Sequence, residues 1–458
     1  MRKLLIANRG EIAIRVIRAA RELDIPTVAV CSEADVDALH TRAADERVVI
    51  GPAAAARSYL DIDAVLAAAV ETGADAVHPG YGFLSERADF AERLDQAGIT
   101  FVGPSAEAIR LMGDKALARS TAARAGVPTV PGSDGAVAGV PEALDVADAI
   151  GYPVAVKAAA GGGGRGIRIV GSPEELQEAL PRAQGEAAAA FGHGEVYLER
   201  FVEHAHHVEV QVFGDGHRFL HLGERECSLQ RRRQKVLEEA PSPSLTEPVR
   251  EAMTSAAVRL AAEVSYRGAG TVEFLYDPDH HDFFFIEMNT RIQVEHPITE
   301  MVTGRDLVRE QLTVAAGDPL SFAQEDVQVR GHSVELRLNA ENPAMGFLPS
   351  PGPLEVMRMP GGPFVRVDSG YEQGAAVSPY YDSLLAKVIV WDDTRPRVLA
   401  RARRALDEVD VQEVLTTAPF LRKVLDVPEV VEGRYHTTFL EGWMADGAGR
   451  GSDAREAV

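Results

Sequence analysis

Short apolar runs alternate with amphipathic stretches through the first 110 residues, and this alternation constrains the fold more than any other feature. The runs Leu4–Ala7, Thr27–Cys31 and Val48–Ile50 are typical of buried strands. Between the first two, Glu11–Leu23 places its apolar residues at helical spacing. Strands separated by helices of this length form a parallel sheet with crossover connections. We therefore predict an N-terminal parallel α/β domain.

The remaining chain differs in character from this first unit. We predict one continuous helix over Glu107–Ala125, followed by the Pro- and Gly-rich linker Val127–Pro141. Strand patterns dominate residues 203–316, and a further strand-rich unit ends in the helix Arg395–Glu408. A length of 458 residues supports about three domains. The pattern predicts a multidomain α/β and α+β chain.

Charge and composition exclude several classes of protein. Lysine and arginine number 47 against 69 acidic residues, and the net charge of −22 argues against a nucleic-acid or anionic-membrane partner. No window reaches the roughly 18 uncharged apolar residues of a membrane helix. Arg9 interrupts the N-terminal apolar stretch, unlike a signal peptide. Because Cys31 and Cys227 cannot form a disulfide framework, we expect a cytoplasmic protein.

A glycine run follows an apolar strand that ends in a lysine. Lys157 closes the strand pattern, and Gly161–Gly164 and Arg165 follow after three alanines. A loop of this kind can bring backbone N–H groups against phosphate oxygens, and the lysine supplies a point charge. The alternative is an exposed hairpin connection without a ligand. The flanking Lys157 and Arg165 favour the phosphate site.

Two glutamates lie in a predicted hairpin. Glu273 is in the strand Thr271–Tyr276 and Glu287 is in the strand Phe283–Met288, so the two side chains can meet across the ladder. Two neighbouring buried carboxylates are costly without a cation between them. Their oxygen ligands favour Mg²⁺ or Mn²⁺. The alternative, a pair of exposed edge-strand glutamates, is disfavoured by the apolar neighbours.

Polar residues continue at every second position beyond Glu287. The series consists of Glu287, Asn289, Arg291, Gln293 and Glu295. If the chain stays extended, all five point to one side, while Met288, Ile292 and Val294 point into a core. Such a series is typical of a reaction surface, and a solvated strand face is the alternative. An extended chain could separate Glu287 from Glu295 by as much as about 26 Å, so the stretch must curl, with Pro297 helping to fix the bend.

A basic cluster, Gln230–Lys235, could be a nucleic-acid or localisation patch. The net negative charge and the acidic residues that follow favour a small-anion site, and a solvated loop is the remaining interpretation. His204, His206 and His207 suggest a transition-metal site, but no cysteine or carboxylate spacing supports zinc.

Together these motifs resemble biotin carboxylases, the ATP-grasp components of biotin-dependent carboxylases such as acetyl-CoA carboxylase. The matching strings run in order from residue 6 to about 387: IANRGEIAIR (6–15), HPGYGFLSE (78–86), MGDK (112–115), KAAAGGGGRG (157–166), HVEVQV (207–212), QRRRQKVLEEAP (230–241), FIEMNTRIQVEHPITE (285–300), VELRLNAE (334–341), FLPSPG (347–352) and PYYDSLLAK (379–387). The resemblance implies a Rossmann-like parallel α/β domain over 1–112, an ATP-grasp core over 113–330 with a mobile lid over about 131–202, a C-terminal domain over 331–445, and a disordered tail over 446–458.

The resemblance also implies an activity. ATP, bicarbonate and biotin on a separate carrier protein would give ADP, phosphate and N1-carboxybiotin, with two divalent ions, Mg²⁺ or Mn²⁺, as cofactors. The implied partners are the biotin carboxyl carrier protein and carboxyltransferase subunits of an acetyl-CoA or other acyl-CoA carboxylase of fatty acid biosynthesis. A homodimer is expected through the N- and C-terminal domains. Val356–Met359 lacks the lysine of a biotinylation motif, which agrees with a separate carrier.

Residue roles follow by position in the matching strings. The residues that would contact nucleotide are Lys115, Lys157, Gly163, Gly164, Glu199, His207 and Arg233, with the backbone of Arg200, Phe201 and Val202. Those that would hold the divalent ions are Glu273, Glu287 and Asn289. Those that would bind bicarbonate are Lys235, Arg291, Gln293 and Val294, with Glu295 as the base. Arg337 would face the biotin ureido oxygen, with Tyr81 near the biotin. Arg233 departs from a bacterial relative, which has histidine there, and Ala160 precedes four glycines where that relative has five.

Three rival interpretations remain. Another ATP-grasp ligase of the carboxyphosphate type shares the chemistry but not the biotin-facing segments. A dinucleotide-binding dehydrogenase fits poorly, because the first turn, Ala7–Glu11, has one glycine and no G-x-G-x-x-G pattern. A non-catalytic scaffold is disfavoured because Glu295, Arg291 and Lys235 are all present.

Overall fold

A five-stranded parallel sheet forms the N-terminal unit, as the sequence predicts. The computed structural model describes residues 1–158, 167–191, 194–445 and 447. The first elements are β1 (Leu4–Ile6), α1 (Gly10–Glu22), β2 (Thr27–Ser32), α2 (Leu39–Ala43), β3 (Glu46–Gly51), α3 (Ile62–Thr72), β4 (Ala76–His78), α4 (Ala88–Gln96) and β5 (Thr100–Phe101). Their sheet order is β3-β2-β1-β4-β5, with every pair parallel.

The helix predicted over Glu107–Ala125 is wrong, because two helices occupy that segment. They are α5 (Ala106–Gly113) and α6 (Lys115–Arg124). Asp114 between them is extended, with φ −90° and ψ 116°, and its carboxylate accepts the N–H groups of Ala116 and Leu117. This is N-cap geometry, which starts a new helix at Lys115. The break leaves Lys115 exposed at the first position of α6.

A small three-stranded sheet with two helices follows. Its elements are α7 (Val140–Ile150), β6 (Val154–Ala158), β7 (Ile167–Val170), α8 (Pro173–Phe191) and β8 (Val196–Arg200). The order is β7-β6-β8, and both pairs are antiparallel. Gly163 and Gly164 of the glycine loop lie outside the described residues, as does the tail over 446–458 apart from Gly447.

One antiparallel sheet of eight strands runs through the rest of the molecule. The next elements are β9 (His206–Asp215), β10 (Phe219–Arg231), β11 (Gln234–Ala240), α9 (Glu247–Glu263), β12 (Arg267–Asp277), β13 (Asp282–Asn289), α10 (His296–Thr303), α11 (Leu307–Ala315) and β14 (His332–Asn339). The last are β15 (Glu341–Asn342), β16 (Leu348–Pro349), β17 (Gly352–Pro353), β18 (Val356–Arg358), β19 (Val365–Ser369), β20 (Ala376–Val377), β21 (Leu384–Asp392), α12 (Arg395–Asp407), β22 (Asp410–Gln412), α13 (Ala418–Val424), α14 (Pro428–Glu432) and α15 (Phe439–Ala445).

The order of the large sheet is β13-β12-β9-β10-β11-β14-β21-β19. Strands from the C-terminal part of the chain therefore extend the sheet that begins with β9. On one face, Leu237, Leu336 and Val388 pack against α12 in an apolar core. On the other face, α10 packs on β11, β14 and β21. None of the helices in the described ranges is long and apolar enough to cross a membrane.

Candidate active site

A buried group of charges lies where β11 begins and where the segment after β13 enters α10. Lys235 Nζ is 2.5 Å from Glu295 Oε1, and Arg337 Nη2 is 2.9 Å from Glu295 Oε2. The two predicted cations therefore hold both oxygens of the predicted base. Burial alone would raise the pKa of Glu295, but Lys235 and Arg337 keep it well below its ordinary value. Glu295 is an ionised carboxylate in a nearly closed site.

The alternating series converges on this site by curling, because the strand ends at Asn289. Asn289 Nδ2 and Gln293 Nε2 both donate to Glu273 Oε1, at 2.6 and 2.9 Å. Ile292 is fully buried, as expected. Val294 is not in the core as predicted: its side chain is half-buried, and its carbonyl accepts a hydrogen bond from Lys387 Nζ at 2.8 Å.

The predicted carboxylate pair lies across the hairpin. Glu273 and Glu287 are opposite each other in the register of β12 and β13. Glu273 is buried and its Oε2 is 2.8 Å from His207 Nε2. Glu287 has no hydrogen bond or ion pair to any described residue, and burial, followed by the charge of Glu273, raises its pKa. A carboxylate left without a partner beside another carboxylate fits a bound cation.

Asn289 completes an oxygen-rich donor set with these two glutamates. Its Oδ1 accepts a hydrogen bond from Arg291 Nη2 at 2.9 Å and keeps a second lone pair. A set of carboxylate and amide oxygens suits Mg²⁺ or Mn²⁺. A neighbouring group, His207, Glu209 and Glu273, also has ligand atoms within 4.8 Å of one another. Lys235 Nζ contacts Glu209 and lies 3.6 Å from Glu273, so that group already holds a cation.

Glu209 also belongs to the site, although its sequence position predicted no role for it. It is fully buried, contacts Lys235, and lies 3.2 Å from Arg225 Nη2. Burial raises the pKa of Glu209, while Lys235 opposes the rise. The signal was present in HVEVQV (207–212), where His207, Glu209 and Gln211 alternate with buried valines.

Glu86 also reaches the site, although no role was predicted for it. Its Oε2 accepts from Arg291 Nε at 3.0 Å, and its Oε1 accepts from the Thr290 N–H at 3.3 Å. This contact ties the N-terminal unit to the predicted bicarbonate-binding arginine. The matching string HPGYGFLSE ends in this residue, which was the available signal.

Tyr81, predicted near biotin, belongs to a second buried chain of contacts. Its hydroxyl donates to Glu11, and Glu11 Oε1 is 3.1 Å from Lys387 Nζ. Lys387 is fully buried and also holds the Val294 carbonyl. Lys387 ends the matching string PYYDSLLAK, from which no role was predicted for it.

Two of the predicted nucleotide contacts, Lys157 on β6 and Glu199 on β8, lie together, whereas His207 lies in the charge cluster against Glu273. Lys157 Nζ contacts Glu199, whose other oxygen is 2.8 Å from Arg119 Nη1. The backbone N–H groups of Arg200 and Phe201 donate to Pro131 and Pro153.

The remaining predicted nucleotide contacts differ in whether their N–H groups and side chains are free to bind a ligand. Among the three predicted backbone positions, only the Val202 N–H is without a partner among the described residues. The basic cluster is not a loop but a tight hairpin turn, in which Arg232 and Arg233 have positive φ of 48° and 66°. Arg233 is exposed, and Lys235 follows it into β11.

Three family models match the chain in order. They are the biotin carboxylase N-terminal domain over residues 1–109, the ATP-binding domain of the carbamoyl-phosphate synthase L chain over 114–323, and the biotin carboxylase C-terminal domain over 335–442. The match to the carbamoyl-phosphate synthase domain over 114–323 would, by itself, also fit another ATP-grasp ligase of the carboxyphosphate type. The flanking models are those of biotin carboxylases.

Whole-chain similarities agree. Biotin carboxylase 1 of Bacillus subtilis is 54% identical over 98% of this chain and 100% of its own length. The biotin carboxylase domain of a thermophilic 2-oxoglutarate carboxylase, solved bound to bicarbonate, superposes with a TM-score of 0.92 at 46% identity, covering 97% and 98% of the two chains. The dimeric Hydrogenobacter thermophilus domain, with MgADP, ADP and bicarbonate, gives a TM-score of 0.86 at 48% identity and the same coverage. With a charge cluster of this kind and relatives of this similarity, the chain belongs to the biotin carboxylase family.

Proposed function

We propose that this enzyme carboxylates biotin borne on a separate carrier protein, with bicarbonate as carbon source and ATP as activating agent. The observation that carries the proposal is the double contact of Glu295 with Lys235 and Arg337. Bicarbonate is a poor nucleophile, and a carboxylate held ionised between two cations can take its proton. The products would be ADP, phosphate and N1-carboxybiotin.

Arg291 is arranged to hold the bicarbonate anion. Its Nε donates to Glu86, its Nη1 to the Ile292 carbonyl and its Nη2 to Asn289. A guanidinium has five N–H groups, so two remain for the oxygens of an anion. Gln293 and Val294 would contact the same anion. Three contacts to the protein therefore fix the plane of the guanidinium before the substrate arrives.

The first step forms carboxyphosphate. Glu295 accepts the bicarbonate proton, a bicarbonate oxygen bonds to the γ-phosphorus, and the bond from that phosphorus to the bridging oxygen of ADP breaks. Lys235 and Lys157 would offset the negative charge, with Lys115 and His207 among the nucleotide contacts. Two divalent ions, Mg²⁺ or Mn²⁺, held by Glu273, Glu287 and Asn289 would neutralise the phosphate oxygens when bound.

The second step transfers the carboxyl group. Carboxyphosphate splits into CO₂ and phosphate, the phosphate takes the N1 proton of biotin, and N1 attacks the CO₂. Arg337 would stabilise the negative ureido oxygen, with Tyr81 beside the biotin. A lid over about 131–202, including Gly163 and Gly164, would exclude water from the labile intermediate.

We also propose the chain's organisation and partners. The family models over 1–109, 114–323 and 335–442 support domains at 1–112, 113–330 and 331–445, while the large sheet runs across the second boundary. A homodimer is supported by the dimeric relative. The acceptor would be an acyl-CoA carboxylated by a carboxyltransferase subunit in fatty acid biosynthesis. Because Cys31 and Cys227 are free and buried, a reducing cytoplasm suits the chain.

The test is an assay of the purified chain with ATP, Mg²⁺, radiolabelled bicarbonate and free biotin. We expect biotin to stimulate ADP release and to become labelled. A carbamoyl-phosphate-type ligase would instead respond to ammonia and leave biotin unlabelled. ADP release stimulated by ammonia and unaffected by biotin would overturn the proposal.

A further inference from the structure

One face of the large sheet carries charged residues although helices cover it. Glu238 on β11 opposes Glu335 on β14, Arg337 opposes Lys387 on β21, and Lys387 opposes Asp368 on β19. Residues opposite each other, or two apart on a strand, share a face, so all five side chains lie on one side. The helix α10 packs on β11, β14 and β21, and α1 packs on β19.

Four of these five charges have partners. Glu238 Oε1 is 2.5 Å from Arg337 Nη2, and Asp368 Oδ2 is 2.7 Å from Arg366 Nη2. Lys387 Nζ pairs with Glu11 at 3.1 Å. Glu335 differs: it is fully buried, and neither carboxyl oxygen has a hydrogen bond or an ion pair in the described part of the chain, whereas Glu238, likewise without a hydrogen bond, has its ion pair with Arg337.

The charges around Glu335 disfavour the ionised form of its carboxyl group. Its face of the sheet carries three acids, Glu238, Glu335 and Asp368, and three bases, Arg337, Lys387 and Arg366, but every base is already in use. Arg366 pairs with Asp368 and Glu300, and the nearby Glu295 and Glu11 use Arg337 and Lys387. The remaining titratable group at the start of α10, His296, is buried, and burial holds its pKa well below the ordinary value, so it is neutral. An ionised carboxylate buried without a partner is costly, and such a group keeps its proton.

We propose that Glu335 is a protonated acid at neutral pH and a positioning residue for Arg337 and Lys387. The positioning role rests on the proposed function, in which Arg337 faces biotin. An ionised Glu335 would compete for both cations. A neutral Glu335 does not compete, so Arg337 keeps its ion pairs with Glu295 and Glu238. Lys387 likewise keeps its hydrogen bond to the Val294 carbonyl and its ion pair with Glu11. Burial raises the pKa of Glu335 well above its usual value, opposed mainly by Lys387, in agreement with this geometry.

The proton is tested by infrared difference spectroscopy on the intact chain at pH 8. We expect a carbonyl band of a protonated carboxylic acid that disappears in Glu335→Gln and persists in Glu325→Gln, a matched change at an exposed glutamate. This readout does not depend on any enzyme activity. A wild-type spectrum without the band, or a band unchanged in Glu335→Gln, would overturn the proposal.

The positioning role is tested by kinetics with free biotin. We expect Glu335→Ala to raise KM for biotin about tenfold, because misplacing Arg337 weakens biotin binding, and to leave KM for ATP in biotin-independent turnover unchanged. Glu335→Gln should restore KM for biotin, since the amide is a neutral isostere. Failure of Glu335→Gln to restore the KM for biotin would contradict a neutral role.

If Glu335→Ala does not fold, the KM for biotin and the infrared spectrum of Glu335→Gln still test whether Glu335 is neutral. A wild-type chain with no biotin-dependent rate would refute the proposed function instead, leaving the infrared result standing.

Discussion

Lys235 Nζ and Glu295 Oε1 lie 2.5 Å apart, 60 positions from each other in sequence. The contact joins the start of β11 to the residue before α10, and thus joins two motifs that sequence reasoning gave to anion binding and to proton abstraction. Because Arg337 takes the other oxygen of Glu295, the carboxylate cannot turn without losing a cation. The two contacts therefore fix the orientation of the Glu295 carboxylate.

The metal assignment predicts that Glu273→Gln and Glu287→Gln each raise the Mg²⁺ concentration needed for half-maximal turnover by about tenfold or more. Each change removes one carboxylate charge from the opposed pair. Steady-state rates over a Mg²⁺ titration give the value, with thermal melting to verify the fold. Asp279→Asn, an exposed change on the turn between β12 and β13, is the control. Near wild-type rates for both variants at limiting Mg²⁺ would show the assignment to be wrong.

Glu86 should act through Arg291. We expect Glu86→Gln to raise KM for bicarbonate about fivefold, as for a partly exposed ion pair worth ~1 kcal/mol, with KM for ATP unchanged. Bicarbonate titrations at saturating ATP measure this. Glu92→Gln, which removes an exposed pair with Arg110, is the control and should match wild type. Equal losses in the two variants would exclude a specific role for Glu86.

The acid limb of the pH profile should depend on Arg337. Arg337 lowers the pKa of Glu295, so Arg337→Met should raise it and move the acid limb of bicarbonate-dependent ATP cleavage to higher pH. Because the pKa of Glu295 is lower in the folded chain than in the unfolded chain, its ionisation stabilises the fold at pH values above the unfolded pKa of about 4.3. This stabilisation is lost as the pH falls through the pKa of Glu295 in the folded chain. Rate profiles without biotin test the shift. An acid limb that does not move would mean that another group controls it.

The assembly should be a dimer. The chain mass is 49.2 kDa, and a related biotin carboxylase domain crystallised as a dimer. We expect sedimentation at micromolar concentration to give a species of about 100 kDa, in keeping with the prevalence of two-fold assemblies. A single species at the monomer mass would contradict the expectation.

Local patterns predicted the strands well because burial imposes period-two or continuous apolar runs. The N-terminal sheet and the hairpin of Glu273 and Glu287 followed from such runs. The break at Asp114 was missed because apolar periodicity continues across it, and only the capping side chain reveals the new helix. Beyond Asn289 the chain curls, as the length of an extended stretch required, and the turn brings Gln293 to Glu273.

Contacts between segments distant in sequence could not be predicted from local sequence patterns. Glu86 and Glu209 look like ordinary polar residues of a loop and a strand, and only the fold brings them to Arg291 and Lys235. The role of Glu335 is even harder to recognise from the sequence. Its neighbours in sequence are apolar, and its significance comes from register with Glu238 on another strand.

The central claim is that Glu295 takes the proton of bicarbonate, and Glu295→Gln tests it most directly. The variant should bind ATP with wild-type affinity, because Glu295 pairs with Lys235 and Arg337 and not with the residues predicted to contact the nucleotide, yet lose bicarbonate-dependent ATP cleavage by about 10²-fold. If Glu295 only anchored Lys235 and Arg337, melting temperature and ATP affinity would fall together. Single-turnover ATP cleavage, measured beside ATP binding and thermal melting, separates these results. Full bicarbonate-dependent cleavage by Glu295→Gln with an unchanged pH profile would contradict the account.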